Sequence, residues 1–207
     1  MKNFLQYIVI LGTVANLYGS YFYLRDTLRG RVKPNRVSWL LWSTAPLIAA
    51  VAAFSDGARW AVLPVFMSGF CPLLIFIGSF LNRQAYWRLE KFDYLCGLFS
   101  ILALIFWAIT KQPLVAIIFS VLSDGLAAVP TIVKGYRHPE TELPIVYLVG
   151  IFSALTGFLV LKTFALTEIL FPIYLVLVNS ALAGSVYLGR ARRPNTNPAF
   201  NSNRKIG

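Results

Sequence analysis

Three polar side chains stand where a polar side chain is costly. Asn16, Asp124 and Asn179 each fall near the middle of an apolar stretch long enough, at about 20 residues, to cross a hydrocarbon core. On insertion scales a central Asp costs about 2.5–3.5 kcal/mol, so such a group faces protein or water rather than lipid tails. Asp124 lies eleven residues into a stretch that begins at Pro113, and no other acid lies as deep. Two chemistries suit it: a protonatable or solute-binding group in a central cavity, or a hydrogen bond that holds helices together. Ser123 and Gly125 flank it, giving room to pack and, at Ser123, a hydroxyl for the same site. Asn16 and Asn179 offer both donors and acceptors, which fits solute hydroxyls and amides or, equally, contacts between helices. Pro46, Pro72 and Pro130 also lie inside apolar stretches. Each removes a backbone N–H and can kink its helix, as a hinge or as a fixed bend.

Little else in the chain suggests reaction chemistry. The one histidine, His138, is in a basic loop, where a solvated or loop-capping role is expected. There is no HExxH, no GxSxG and no pair of carboxylates within the apolar stretches, so neither an enzyme nor a metal or other cofactor is expected. Cys71 and Cys96 both lie in apolar stretches and read as small buried residues rather than a disulfide or metal pair.

The elements that position these residues are apolar helices. Hydrophobic residues make up 57% of the 207 and charged residues 13%, about half the charge of an ordinary soluble domain. The expected spans are Phe4–Leu24, Val37–Phe54, Trp60–Leu81, Phe92–Thr110, Pro113–Val133, Leu143–Leu161 and Glu168–Leu188. An all-α membrane protein of seven helices follows. The net charge of +11 does not read as nucleic-acid binding, because its distribution is lopsided. With loops assigned alternately to two sides, Lys2, Arg59, Lys111 and Lys162 share one side, and the remaining fifteen of the 19 Lys and Arg share the other. Excess basic residues in short loops mark the cytoplasmic face. The N-terminus is therefore expected outside and the C-terminus in the cytoplasm, in a plasma membrane of bacterial type. The first span is too long for a signal-peptide core and is expected to stay. The tail from Arg190 to Gly207, rich in Asn, Pro, Ser and Arg, is expected to be disordered. Trp39 and Trp42, one turn apart near the cytoplasmic end of the second span, read as headgroup anchors, and Tyr147 as a similar one. Phe158 and Phe164 are candidates for an aromatic pocket wall.

The chain also carries an internal repeat. Displaced by 108 residues, Asn16 falls on Asp124, Asp26 on Lys134, Pro64 on Pro172 and Cys71 on Asn179. Pro34 falls on Pro139 at a displacement of 105, because the first copy has three extra residues in its basic loop. The span Phe92–Thr110 has no partner. The expected layout is two parallel three-helix repeats joined by one linker helix, 3+1+3: residues 1–85, a linker over 86–112, residues 113–189, and the tail 190–207. Three helices reverse the chain's side and a fourth restores it, so the copies are related by an axis along the membrane normal. Matching Asn179, Cys71 joins the candidate site of Asn16, Ser123, Asp124 and Asn179.

The stretch Asp124-Gly-Leu-Ala-Ala-Val-Pro130-Thr-Ile-Val-Lys134-Gly-Tyr-Arg137-His-Pro139-Glu-Thr141 resembles a PQ-loop motif. In that motif a Pro-Gln pair ends the first helix of a three-helix unit and a short basic loop leads into the second. Here Pro130-Thr131 takes the place of Pro-Gln, and Phe22-Tyr23 does so in the first copy, ahead of the basic loop Arg25–Arg36. The resemblance to SWEET and PQ-loop proteins covers residues 4–188, through architecture more than identity. It implies a transporter fold, with sugar transporters, lysosomal amino-acid exporters and a sorting receptor among its relatives. Sugar-transporting relatives carry a pocket asparagine in the third helix of each unit, which Asn179 matches and Cys71 does not. The function expected is transport of a small polar solute, sugar-like or amino-acid-like, by alternating access, with a proton coupled through Asp124. A receptor on the same fold is the alternative. Partners are the bilayer, the solute and protons; with two units in one chain, no oligomer is required.

Overall fold

A computed structural model describes residues 2–55, 62–109, 113–158 and 166–192. Over these residues the chain forms seven α-helices and no strand: α1 (Lys2–Leu28), α2 (Arg36–Ser55), α3 (Val62–Leu81), α4 (Lys91–Ile109), α5 (Pro113–Arg137), α6 (Ile145–Phe158) and α7 (Leu166–Arg192). Each coincides with one expected apolar stretch. The helices α1, α5 and α7 run four residues past the expected ends, because hydropathy marks where apolar residues stop and not where the backbone is capped. Of the expected disordered tail 190–207, residues 190–192 are instead the helical end of α7; the rest of it and Phe164 lie outside the described residues, as does the side chain of Phe158.

The caps are specific. α1 ends in a Schellman turn: Gly30, at φ +71°, donates from N–H to Thr27 O, and Arg31 N–H reaches Asp26 O at 2.8 Å. Only glycine takes that left-handed conformation without strain. α2 begins on Asn35, whose side-chain oxygen accepts from Val37 N at 3.1 Å and Ser38 N at 3.4 Å, satisfying N–H groups that a helix start leaves open. At the start of α4 the Asp93 carboxylate accepts from Glu90 N. Asn35 then donates its amide to Asp93 at 2.8 Å, so one hydrogen bond clips two helix starts together.

In the packing, α3 lies against both α1 and α2, and α7 lies against both α5 and α6. α1 meets α6 and α2 meets α5, while α4 packs on α5 and touches α2. The α2–α3 approach is backbone to backbone: a Cβ added at Gly69 would stand 2.9 Å from Ser43 O and from Leu47 N.

Polar side chains are buried alongside apolar ones, and many large apolar side chains are exposed. Side chains buried between helices include Ser20, Thr27, Asn35, Ser38, Asp93, Lys134 and Glu142. Exposed ones include Ile10, Leu11, Val14 and Leu17 on α1, and Leu98, Phe99, Ile105 and Phe106 on α4. Among the described residues, one helical stretch, Ile169–Arg192, is long and apolar enough to cross a membrane; Phe66–Leu81 and Ile145–Thr156 are shorter apolar helical stretches. Only 28% of the apolar window in Ile169–Arg192 is buried, unlike a core helix of a soluble domain.

Candidate functional site

A cavity of about 460 Å³ opens between the helices, and Asn16 of α1, Asp124 of α5 and Asn179 of α7 all line it. Residues 108 and 163 positions apart in sequence thus meet at one void. Asn16 Oδ1 accepts from Ser20 Oγ one turn on, at 3.3 Å. Asn179 donates to its own helix, Nδ2 to Leu175 O at 2.9 Å. Its amide is seated over Gly150 of α6, where an added Cβ would come within 2.5 Å of Oδ1. The Asp124 carboxylate accepts from the Tyr174 hydroxyl of α7 at 2.6 Å. Sequence reasoning missed Tyr174: it is one of ten tyrosines, and nothing in its neighbours marks its distance to Asp124.

Two other expected site residues are not at the cavity. Successive residues on a helix point about 100° apart, so Ser123 turns away from the face of Asp124. Its hydroxyl donates to Ser100 O at 2.9 Å, and Ser100 returns the bond to Ser123 O at 2.7 Å, locking α4 to α5. Cys71 is buried in helix packing, while its neighbour Pro72 lines the void. Cys71 and Cys96 are both free thiols. Of the three prolines, Pro46 and Pro72 line the cavity. Pro130 instead lines a second void of about 250 Å³, beside Trp87, Asp93 and His138. His138 keeps a half-exposed loop position 3.7 Å from Glu140, with its ring 5.3 Å from Trp87.

The aromatic residues correct the sequence reading most. Trp39 is only 3% exposed and lines the cavity with Trp42 and Tyr147. Positions 39, 42 and 46 share one face of α2, which points inward, while Leu40 faces out. Trp42 Nε1 donates to Asp124 O at 3.4 Å. The Trp39 ring packs 4.7 Å from Tyr23.

Beyond these rings, at the end where the basic loops gather, the helices close on one carboxylate. Glu142 Oε2 accepts from Tyr23 of α1 at 2.9 Å and from Tyr147 of α6 at 2.8 Å. Glu142 Oε1 pairs with the Lys134 ammonium of α5, which also donates to Lys33 O in the loop before α2. Lys33 N–H reaches Thr141 O at 3.0 Å, and Arg190 of α7 donates to Glu142 O at 3.2 Å. Both side chains of the pair are at most 1% exposed. This knot lies between the cavity and the basic loops.

Comparison with protein-family models, curated proteins and solved structures finds no match.

Proposed function

We propose that the chain is a multi-pass membrane transporter of a small polar solute, built as two parallel three-helix units joined by α4. The observation that carries this reading is the cavity itself. It brings together the three polar residues that sit at mid-depth of their apolar stretches, one each from α1, α5 and α7. The many exposed large apolar side chains of α1 and α4 support a lipid surround, since a soluble protein rarely leaves such extended apolar surface open. The packing order supports the repeat, since α3 sits between its partners α1 and α2 as α7 sits between α5 and α6, and α1 meets α6 as α2 meets α5. The placement of Lys and Arg supports an outside N-terminus and a cytoplasmic C-terminus, in a plasma membrane.

In this mechanism the units rock about the cavity and expose it to one side at a time. Glu142 and the hydroxyls and ammonium around it close the cytoplasmic side. Pro46 and Pro72 give the bending points beside the cavity, and Pro130 one on α5 beside the second void. Asp124 takes up and releases a proton as the solute enters and leaves. The SWEET and PQ-loop resemblance points the same way through architecture. The test is uptake by proteoliposomes of labelled sugars, amino acids, nucleosides and amines, with and without a pH gradient. Accumulation of one class that responds to the gradient is expected; binding without any uptake would make the protein a receptor.

A further inference from the structure

The charges around the cavity are one-sided. Among its described lining residues, Asp124 is the only charged group, and no Lys or Arg is among them. The nearby cations are otherwise engaged: Lys134 with Glu142, Arg36 with Ser79 O at 2.7 Å, and Arg25 with Asp26 at 3.0 Å. Aromatic faces complete the lining, from Trp39, Trp42, Tyr147 and Phe171.

We infer that this cavity selects a small organic cation and exchanges it for a proton at Asp124; this rests on the transport reading above. A charge removed from water needs a counter-charge. Here a carboxylate substrate, including the carboxylate of an amino acid, finds none, whereas an ammonium finds one. Indole faces add cation–π attraction, worth about 0.5–2 kcal/mol. Asp124 has one negative charge to neutralise, so it holds either a proton or the cation. Loading one as the other leaves keeps the cavity neutral in both directions, an electroneutral one-for-one exchange.

The elements around α5 leave this competition to Asp124. Facing it, α7 presents Tyr174 and α2 presents Trp42. On α4, the residue opposite its neighbour is Ser100. Other described titratable groups near α5, among them Glu90, Asp93, Lys134, Arg137, His138 and Glu142, lie toward the basic-loop end.

Three probes of one shape and different charge test it on the reconstituted full chain: cyclohexylammonium, cyclohexanol and cyclohexanecarboxylate. Binding is read from the fluorescence of Trp39 and Trp42, and exchange from proton flux in liposomes. The cation is expected to bind at least about tenfold tighter than the alcohol, with the carboxylate not binding. Its affinity should fall toward tenfold per pH unit once protons compete. Asp124→Asn should bring the cation down to the level of the alcohol. Tyr174→Phe, which keeps the carboxylate and removes its internal donor, should raise cation affinity, a gain that a folding defect would not produce. Equal binding of cation and alcohol, or cation preference surviving in a folded Asp124→Asn, overturns the inference. Uptake of a neutral sugar without cation preference would overturn it and leave transport standing. Cation binding with no flux of any solute would overturn transport and leave the selectivity.

Discussion

At the scale of single residues, two carboxylates have opposite circumstances. Asp124 faces a void and has a neutral hydroxyl donor, which in the proposed mechanism leaves it open to proton exchange. Glu142 has two hydroxyls and an ammonium packed around it, so its charge is committed. Asp124→Asn keeps the shape and one hydrogen-bonding group while abolishing titration. It should fold and express as the parent does but transport with a flat pH profile, whereas Asp124→Ala should weaken binding or packing outright. An unchanged pH profile in Asp124→Asn would assign the residue to helix contacts. For the buried pair, removing one partner leaves a charge without its counter-charge, at a cost of about 3–5 kcal/mol. Lys134→Met should therefore lower the melting temperature in detergent sharply, and Lys134→Met with Glu142→Gln should recover part of the loss. Additive losses in that cycle would mean the pair is not coupled. Of these residues, Asp124 was legible in the sequence because burial makes an isolated acid conspicuous. Tyr174 and Glu142 were not. A tyrosine inside an apolar helix carries no sign of which carboxylate it meets, and Glu142 stands in a polar loop where its burial is invisible until α1, α5 and α6 are assembled.

At the scale of elements, contact distance between helices is set by the smallest residues. Gly69→Ala places a Cβ 2.9 Å from backbone atoms of Ser43 and Leu47, and backbone cannot rotate aside as a side chain can. Overpacking of this kind costs about 1–3 kcal/mol. Gly184, with nothing within 4 Å of an added Cβ, is the counterpart: Gly184→Ala should be neutral or stabilising by up to about 1 kcal/mol, since alanine is the better helix former. Melting curves that do not separate the two variants would show that α2 and α3 are less closely held than their geometry implies. The seven helices were readable as apolar runs of the right length. Their rotation was not, because helices apolar all round give no polar stripe to orient them. That is why Trp39 and Trp42 read as headgroup anchors and are cavity walls, and why Ser123 read as a site residue and is a clamp to α4. Cys71 was placed by its register with Asn179, and register fixes depth without fixing the side of the helix.

At the scale of the whole molecule, the asymmetry of Lys and Arg predicts that a cytoplasm-active reporter fused after Arg193 works and an externally active one does not. The reverse pattern would require a different number of crossings. The proposed repeat rests on matched positions in the sequence, Asn16 with Asp124 and Pro34 with Pro139, since equivalent depth and equivalent turns would constrain residue type. The knot around Glu142 was not legible, since its members stand far apart in the chain. That separation has a consequence for how the protein is made. The Tyr23 hydroxyl waits for a carboxylate 119 residues later, and Lys33 O waits for an ammonium 101 residues later. At about 5–20 residues per second, the ribosome delivers Glu142 about 6–24 s after Tyr23. In the proposed multi-pass arrangement the first three helices would spend that interval in the membrane with an open polar seam while α4 is still arriving, and Tyr23 would depend on the translocon or water for a partner. Slowing synthesis between α4 and α6 lengthens that exposure and should raise the fraction of chains degraded before they close.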